Sequence, residues 1–317
     1  MKSVLFQEQR STLFLKGNEV QFFENRSEML SEFEQMHAAS PGRSDAAVVV
    51  AMVQETLRDL DLSPPVDHNI VASYRGVLRI DYADHVWAGY IAPAPYDAGL
   101  VISVRSSDPW GRQRFTIFHE VLHTYMQGFY LQPQYRCEPG ARPVGTEHDP
   151  ELEALCDQGA AEMLMPREAF LADLEGNSLN LTLVDDLADR YEASRAATAS
   201  RICALSPSKT LYVSFSEMST PRDPFSPPKL RVESCFSRGD WSYVPRFKSV
   251  KPGGVFDRAW NGELVDETVY LDELTRNPLG WAHVSARRSD YVSSEGVQMR
   301  VKALITQIDS VGRRGAS

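Results

Sequence analysis

Apolar and polar positions change their spacing several times along the chain, and each change predicts a different element. Residues 1–24 alternate short β-prone runs around Lys16-Gly17-Asn18, the pattern of a hairpin. Ser44 then precedes a stretch over 45–59 whose apolar residues recur at helical spacing, which predicts a helix with a side-chain cap. Pro64-Pro65 closes that segment. Three β-branched and aromatic runs follow, over 76–82, 85–91 and 100–104, with Gly, Pro and Asp between them, and these predict a short sheet. Asp108-Pro109 reads as an N-cap acceptor and a first-turn proline, opening a helix that runs to Gly128. Asp149-Pro150 repeats the signal for a second helix reaching Met165, just before Pro166. The Pro- and Gly-rich stretch 129–148 between them predicts an ordered loop.

Residues 167–205 return to helical spacing. Their last part, 183–205, has helix–turn–helix rhythm: Leu187 and Ala188 are apolar, the break falls near Tyr191, and Ser194 caps the second helix. The tracts 206–209 and 221–228 read as linkers. A mixed, β-rich region with turns at Gly253-Gly254, Asn261-Gly262 and Asn277-Pro278 completes the chain. At roughly 150 residues per domain, 317 residues make two domains.

Composition narrows the function class. Hydrophobic residues at 43% and charged residues at 24% describe a globular protein and exclude wholesale disorder. A net charge of −10 argues against a protein built mainly to grip phosphate backbones. That charge is uneven: residues 203–317 hold 16 basic and 13 acidic side chains, while the preceding part is near −13. Cys137, Cys156, Cys203 and Cys235 are scattered without a CxxC pair, so neither a disulfide scaffold nor a cysteine-built zinc site is expected. The first residues lack a secretory apolar core, and the longest apolar run, 46–53, is far short of a membrane span; a cytoplasmic protein away from membranes is expected.

The chemistry concentrates in His119-Glu120-Val121-Leu122-His123. On a helix the two histidines lie one turn apart on one face, so both imidazoles can hold one zinc while Glu120 reaches a water on it. Phe115, Phe118, Leu122 and Tyr125 recur at three- and four-residue spacing and predict an apolar stripe beside that face. A zinc with two histidines needs a third protein ligand and an open fourth position. Glu153 on the second helix can supply it, with Asp157 one turn on accepting the free N–H of a ligand imidazole. Glu147 and His148 are rival third ligands. Small residues around them (Ala154, Cys156, Gly159, Ala160, Ala161) let two helices approach closely, and Cys156 is read as one of these packing residues. Tyr90, Tyr125 and His148 are candidates for stabilising an oxyanion.

The stretches RQRFTIFHEVLH (112–123) and ELEALCDQGAAEMLMP (151–166) resemble the ImmA/IrrE family of bacterial zinc metallopeptidases. That family shows R-x-R-F-T-x-x-H-E-x-x-H, then E-x-x-A-x-x-F-A-x-x-L-L-M-P. The resemblance implies His119, His123 and Glu153 as ligands of zinc and Glu120 as the catalytic base; imidazole with carboxylate ligation tolerates manganese as well. Departures fall at Phe118, where the family has Ala, at Leu122, where it has Gly, and at Gly159, where it has Phe. The wording is nearest the radiation-response branch.

The implied architecture is α+β. A zincin-like peptidase domain with a small sheet and the HExxH helix spans 1–175, a helix–turn–helix-like segment 176–205, and a C-terminal α/β GAF-like domain 206–317. Leu100, Val101, Ile102, Ser103 and Val104 would form an edge strand along which an extended substrate adds a strand. The implied activity is endoproteolysis of a helix-turn-helix transcriptional repressor, releasing stress-response or mobile-element genes.

Two other classes of function compete. In a DNA-binding regulator, Arg195, Thr198 and Arg201 would face the groove, but 183–205 is no more basic than acidic, so direct DNA binding is not expected. In a non-catalytic sensor, the metal site would only sense, with a small-molecule ligand at the C-terminal domain. Trp241, Tyr243, Phe247, Trp260 and Trp281 could line a pocket for it, although large aromatics are more often core.

Overall fold

The structure is a computed structural model that describes residues 31–94, 99–126, 150–237, 241, 243–275, 278–293 and 296–308. The hairpin expected over 1–24 and the loop expected over 129–148 lie outside the described residues, as do Glu147 and His148. The chain divides into two compact units, at Pro166/Arg167.

The first unit opens with helices α1 (Glu32–Ala39), α2 (Asp45–Asp59) and α3 (His68–Tyr74). Ser31 and Glu34 close a reciprocal capping box on α1, and the Ser44 hydroxyl caps α2 by accepting from the Ala47 N–H, as its sequence predicts. Val48, Val49, Met52, Val53, Thr56 and Leu57 bury one face of α2. Strands β1 (Val77–Ala83), β2 (Gly89–Pro93) and β3 (Leu100–Arg105) follow, then α4 (Trp110–His123) and α5 (Pro150–Leu164). Helix α4 packs on β2, β3, α3 and α5, and α2 covers α5 as well. The HExxH helix is therefore the centre of the unit rather than an amphipathic surface helix. Phe118, Leu122 and Tyr125 are buried as the apolar stripe requires, but Gln113, Arg114, Thr116, Ile117 and Val121 are buried too.

Three expectations change here. The strand order is β1-β3-β2, with β1 parallel and β2 antiparallel to β3, so Leu100–Arg105 is the central strand and not an edge. The reason is in its composition: Val101, Ile102, Ser103 and Val104 are all buried, the continuous run of a strand covered on both faces. Among the described residues β1 and β2 form the rims. Second, Pro109 itself is the N-cap of α4, and the Asp108 carboxylate instead pairs with Arg105 at 2.9 Å and Arg112 at 3.4 Å. The Gln113 amide fixes this turn by donating to the carbonyls of Arg105, Ser106 and Asp108. Third, α4 stops at His123, short of Gly128.

Arg75 holds that C-terminal end. Its Nε donates to Thr124 Oγ1 and Nη2 to the Thr124 carbonyl, both at 2.9 Å, while Nη1 pairs with Glu32. The guanidinium lies 3.6 Å from the centre of the Tyr125 ring. Arg75→Met is expected to cost about 2 kcal/mol in denaturant unfolding, because Glu32 and the Thr124 carbonyl lose a buried donor. A loss within error would show that water replaces the guanidinium without cost.

The second unit contains α6 (Arg167–Leu174), α7 (Leu181–Arg190) and α8 (Arg195–Leu205). It continues with β4 (Thr210–Met218), β5 (Lys229–Ser237), α9 (Val255–Trp260), β6 (Val265–Leu271), β7 (Gly280–Ser293) and β8 (Gly296–Gln307). The sheet is antiparallel, ordered β5-β4-β8-β7-β6. Period-2 alternation divides its faces. Leu211, Val213 and Phe215 join Phe256 and Ala259 of α9 in one core. On the other face the Leu181 N–H donates to Ser285 Oγ, Arg287 pairs with Asp185, and α8 packs on β4 and β5.

Ser194 caps α8 as read from sequence, and Glu192 turns the chain at φ 49°. The side chains proposed for a DNA groove are otherwise engaged. Thr198 is fully buried with its hydroxyl on the Ser194 carbonyl, and Arg195 donates to Asp185 at 2.5 Å. Helix α8 is thus a layer over the sheet. Of the aromatics that could have lined a pocket, Trp241 and Trp260 pack against the core, the commoner role of such side chains, and Tyr243 is exposed.

Candidate metal centre

Helices α4 and α5 bring the site together by lying against each other through small side chains. At Gly159 of α5 the packing leaves no room for a side chain: a Cβ there would come 2.5 Å from Leu122 Cδ1 and 2.8 Å from Val49 Cγ1. Two departures from the resembled pattern are therefore one change. Where the pattern has Gly then Phe, this chain has Leu122 then Gly159, and the leucine fills the space over the glycine. Phe118, the third departure, is fully buried and meets the His68 ring edge-on at 6.5 Å.

On this contact His119 and His123 sit one turn apart, facing Glu153. His119 Nε2 is 3.0 Å from Glu153 Oε2 and 3.2 Å from His123 Nε2, and His123 Nε2 is 3.7 Å from Glu153 Oε1. Three donors of a tetrahedral zinc at about 2.0–2.1 Å stand roughly 3.3 Å from one another. The observed separations bracket that figure. Two imidazole nitrogens and a carboxylate oxygen aimed at one point form a cation-binding set that suits zinc and also accepts manganese. Among the described residues this is the one such cluster.

The surroundings complete the arrangement. Asp157 Oδ1 is 2.9 Å from His119 Nδ1, which leaves Nε2 as that ring's ligating atom. For His123 the corresponding neighbour is Cys156, buried, with Sγ 3.5 Å from Nδ1. Sequence reading treated Cys156 as packing alone; its i+3 spacing from Glu153 was the signal that it shares the ligand's face. Burial by itself pulls the His119 pKa down, but the hydrogen bonds to Asp157 and Glu153 outweigh it and push it up to about 10. Without a metal, the carboxylates hold a proton on this ring; a divalent cation satisfies the same field.

Glu120 is buried and lies beside the cluster rather than in it. Strand β2 runs over it: a Cβ on Gly89 would fall 3.6 Å from Glu120 Oε1 and overlap Thr116. Only glycine lets the rim strand come this near. Of the oxyanion candidates, Tyr125 is committed elsewhere, its hydroxyl 2.9 Å from Thr56 Oγ1 in the core. Tyr90 follows Gly89 on β2 and is half-buried.

Asp157→Asn is expected to weaken zinc binding by about ten- to a hundredfold, since the amide no longer fixes the His119 tautomer. Competition with a chromogenic chelator measures this. Unchanged affinity would show that the Asp157 contact does not orient the ligand.

Comparison with known proteins bears on the same residues. No curated protein matches the sequence. Among solved structures, a Mycobacterium tuberculosis transcriptional regulator is similar at 12% identity and a TM-score of 0.49, over 82% of this chain and 75% of that one. Residues 77–202 match the model of the family Peptidase_M78, the IrrE N-terminal-like domain, and that range contains every residue of the cluster. Over residues 77–202 this chain is thus similar to the Peptidase_M78 family, in the part described as its IrrE N-terminal-like domain.

Proposed function

We propose that the protein is a zinc-dependent endopeptidase that cleaves a helix-turn-helix transcriptional repressor and so releases stress-response or mobile-element genes. The observation that carries the reading is the convergence of His119 Nε2, His123 Nε2 and the Glu153 carboxylate, with Glu120 buried at their side. When bound, zinc supplies a Lewis acid that brings the pKa of a water toward neutrality and polarises a peptide carbonyl.

The chain's own residues do the rest. Glu120 takes the proton from the attacking water and later gives it to the leaving amine. Buried against β2 next to His119, it would be screened from bulk water on the side of the residues that would hold the metal. Asp157 and Cys156 hold the two imidazoles so that both Nε2 atoms face inward. The substrate backbone would lie along the rim strand β2, close to Glu120, in place of the central β3.

For the second unit the reading is a GAF-like sensor domain. Its support is an antiparallel sheet with helices on both faces.

The test incubates the purified chain with the repressor encoded beside its gene, with zinc, with manganese and after chelation. A single cut that disappears with chelation and returns with metal is expected. An intact repressor in every condition would remove the repressor as substrate, and a cut indifferent to chelation would remove the metal from the reaction.

A further inference from the structure

A cleft of about 610 Å³ opens in the second unit, between α8, β4, β5 and β8, with Val232 and Val244 at its edge toward the α9 core. Its charged lining is unbalanced. Arg246, Arg300 and Lys302 contribute three cations against one carboxylate, Glu233. Both oxygens of Glu233 are engaged, Oε1 by Arg300 and Oε2 by the Ser214 hydroxyl, each at 2.7 Å. Lys302 reaches that acid only through Ser214, whose Oγ accepts from Nζ at 2.7 Å. Among the described residues no carboxylate forms an ion pair with Lys302. Burial holds its pKa below the usual lysine value, with the field of Glu233 opposing that effect and Arg300 adding to it. A half-buried ammonium without a direct counter-ion is unfavourable unless something else supplies the charge.

Two aromatic rings lie on the same sheet face beside these groups. Tyr212 and Phe236 pair across β4 and β5, their rings stacked 6.2 Å apart at 18°. Phe236 remains 41% exposed, an aromatic face open beside a cationic floor. The volume lies within the range of small-molecule sites, which combine apolar walls with a few placed polar groups.

We propose that this cleft binds a small planar organic anion, its acid group on Lys302 and Arg246 and its ring along Phe236 and Tyr212. The aromatics singled out from sequence (Trp241, Tyr243, Phe247, Trp260, Trp281) do not line it. The site stands on residues of the second unit alone and does not depend on peptidase activity.

Isothermal titration of the full chain with indole-3-acetate and with benzoate tests the proposal, with tryptophol supplying the ring without charge and acetate the charge without ring. At least one of the two aromatic acids is expected to bind with a Kd of about 1 mM or lower. Tryptophol and acetate should be at least about tenfold weaker, and Lys302→Met should weaken the acid by about tenfold or more, the range for a hydrogen bond to a charged group. Arg246→Gln, at an exposed position, carries the same test should Lys302→Met fail to fold; a severalfold weakening is expected. Absence of binding by both acids, equal binding by tryptophol, or an affinity unmoved by the charge removals would overturn the proposal.

Discussion

Glu120→Gln is expected to lower peptide hydrolysis by about a thousandfold while the bound metal stays in place. Glutamine keeps the volume and one hydrogen-bonding oxygen in a pocket that is almost fully buried, so the packing of α4 against β2 is preserved. It cannot accept a proton at neutral pH. A thousandfold loss corresponds to about 4 kcal/mol of barrier, at 1.36 kcal/mol per factor of ten. The three converging donors are His119, His123 and Glu153, so removing the Glu120 charge should leave metal stoichiometry near that of the unmodified chain. Metal content and kcat/KM measured on one preparation separate the alternatives. Loss of metal together with activity would make Glu120 a ligand, and activity retained with metal bound would remove it as the base. A non-catalytic sensor predicts that repressor control survives Glu120→Gln, so the same variant also discriminates that reading.

Local rules made much of the site readable. Ser44 and Ser194 cap their helices because a short side chain with an oxygen reaches the N3 amide without long-range help. Helical spacing puts His119 with His123, and Glu153 with Asp157, one turn apart on a shared face, and the packing of the two helices brings these four side chains together. Strand position was less accessible. The run at 100–104 identifies a strand, but whether it is central depends on what pairs beside it, and β1 joins it only after a crossover through β2. Its unbroken apolar pattern was the available signal.

The remaining features are encoded nonlocally. Arg75 reads as a surface residue, and only the fold reveals that Thr124, Glu32 and Tyr125 surround it. Thr198, which the competing DNA-binding reading would turn to the groove, is buried for the same reason: helical rhythm fixes which residues share a face, not which face the sheet covers.

The coupling of Leu122 and Gly159 is the case with the largest consequence for stability. Leu122→Gly is expected to cost about 4 kcal/mol, because it removes a fully buried leucine and places glycine inside α4. Gly159→Phe should cost about 3 kcal/mol by overpacking, since even a Cβ at that point overlaps Leu122 and Val49. If the two positions share one volume, the double variant must be far more stable than the sum of the singles, for the ring enters the space that the leucine vacates. A coupling of about 3 kcal/mol is expected, at the upper end for residues in contact. Denaturant unfolding of the four proteins measures it. Zinc affinity should follow the same cycle, because α4 carries both histidines and α5 carries Glu153, so a wedge between the helices separates the ligands before it unfolds the unit. Additive stabilities would show that the helices move apart independently at the two positions. The metal site would then not owe its geometry to this contact.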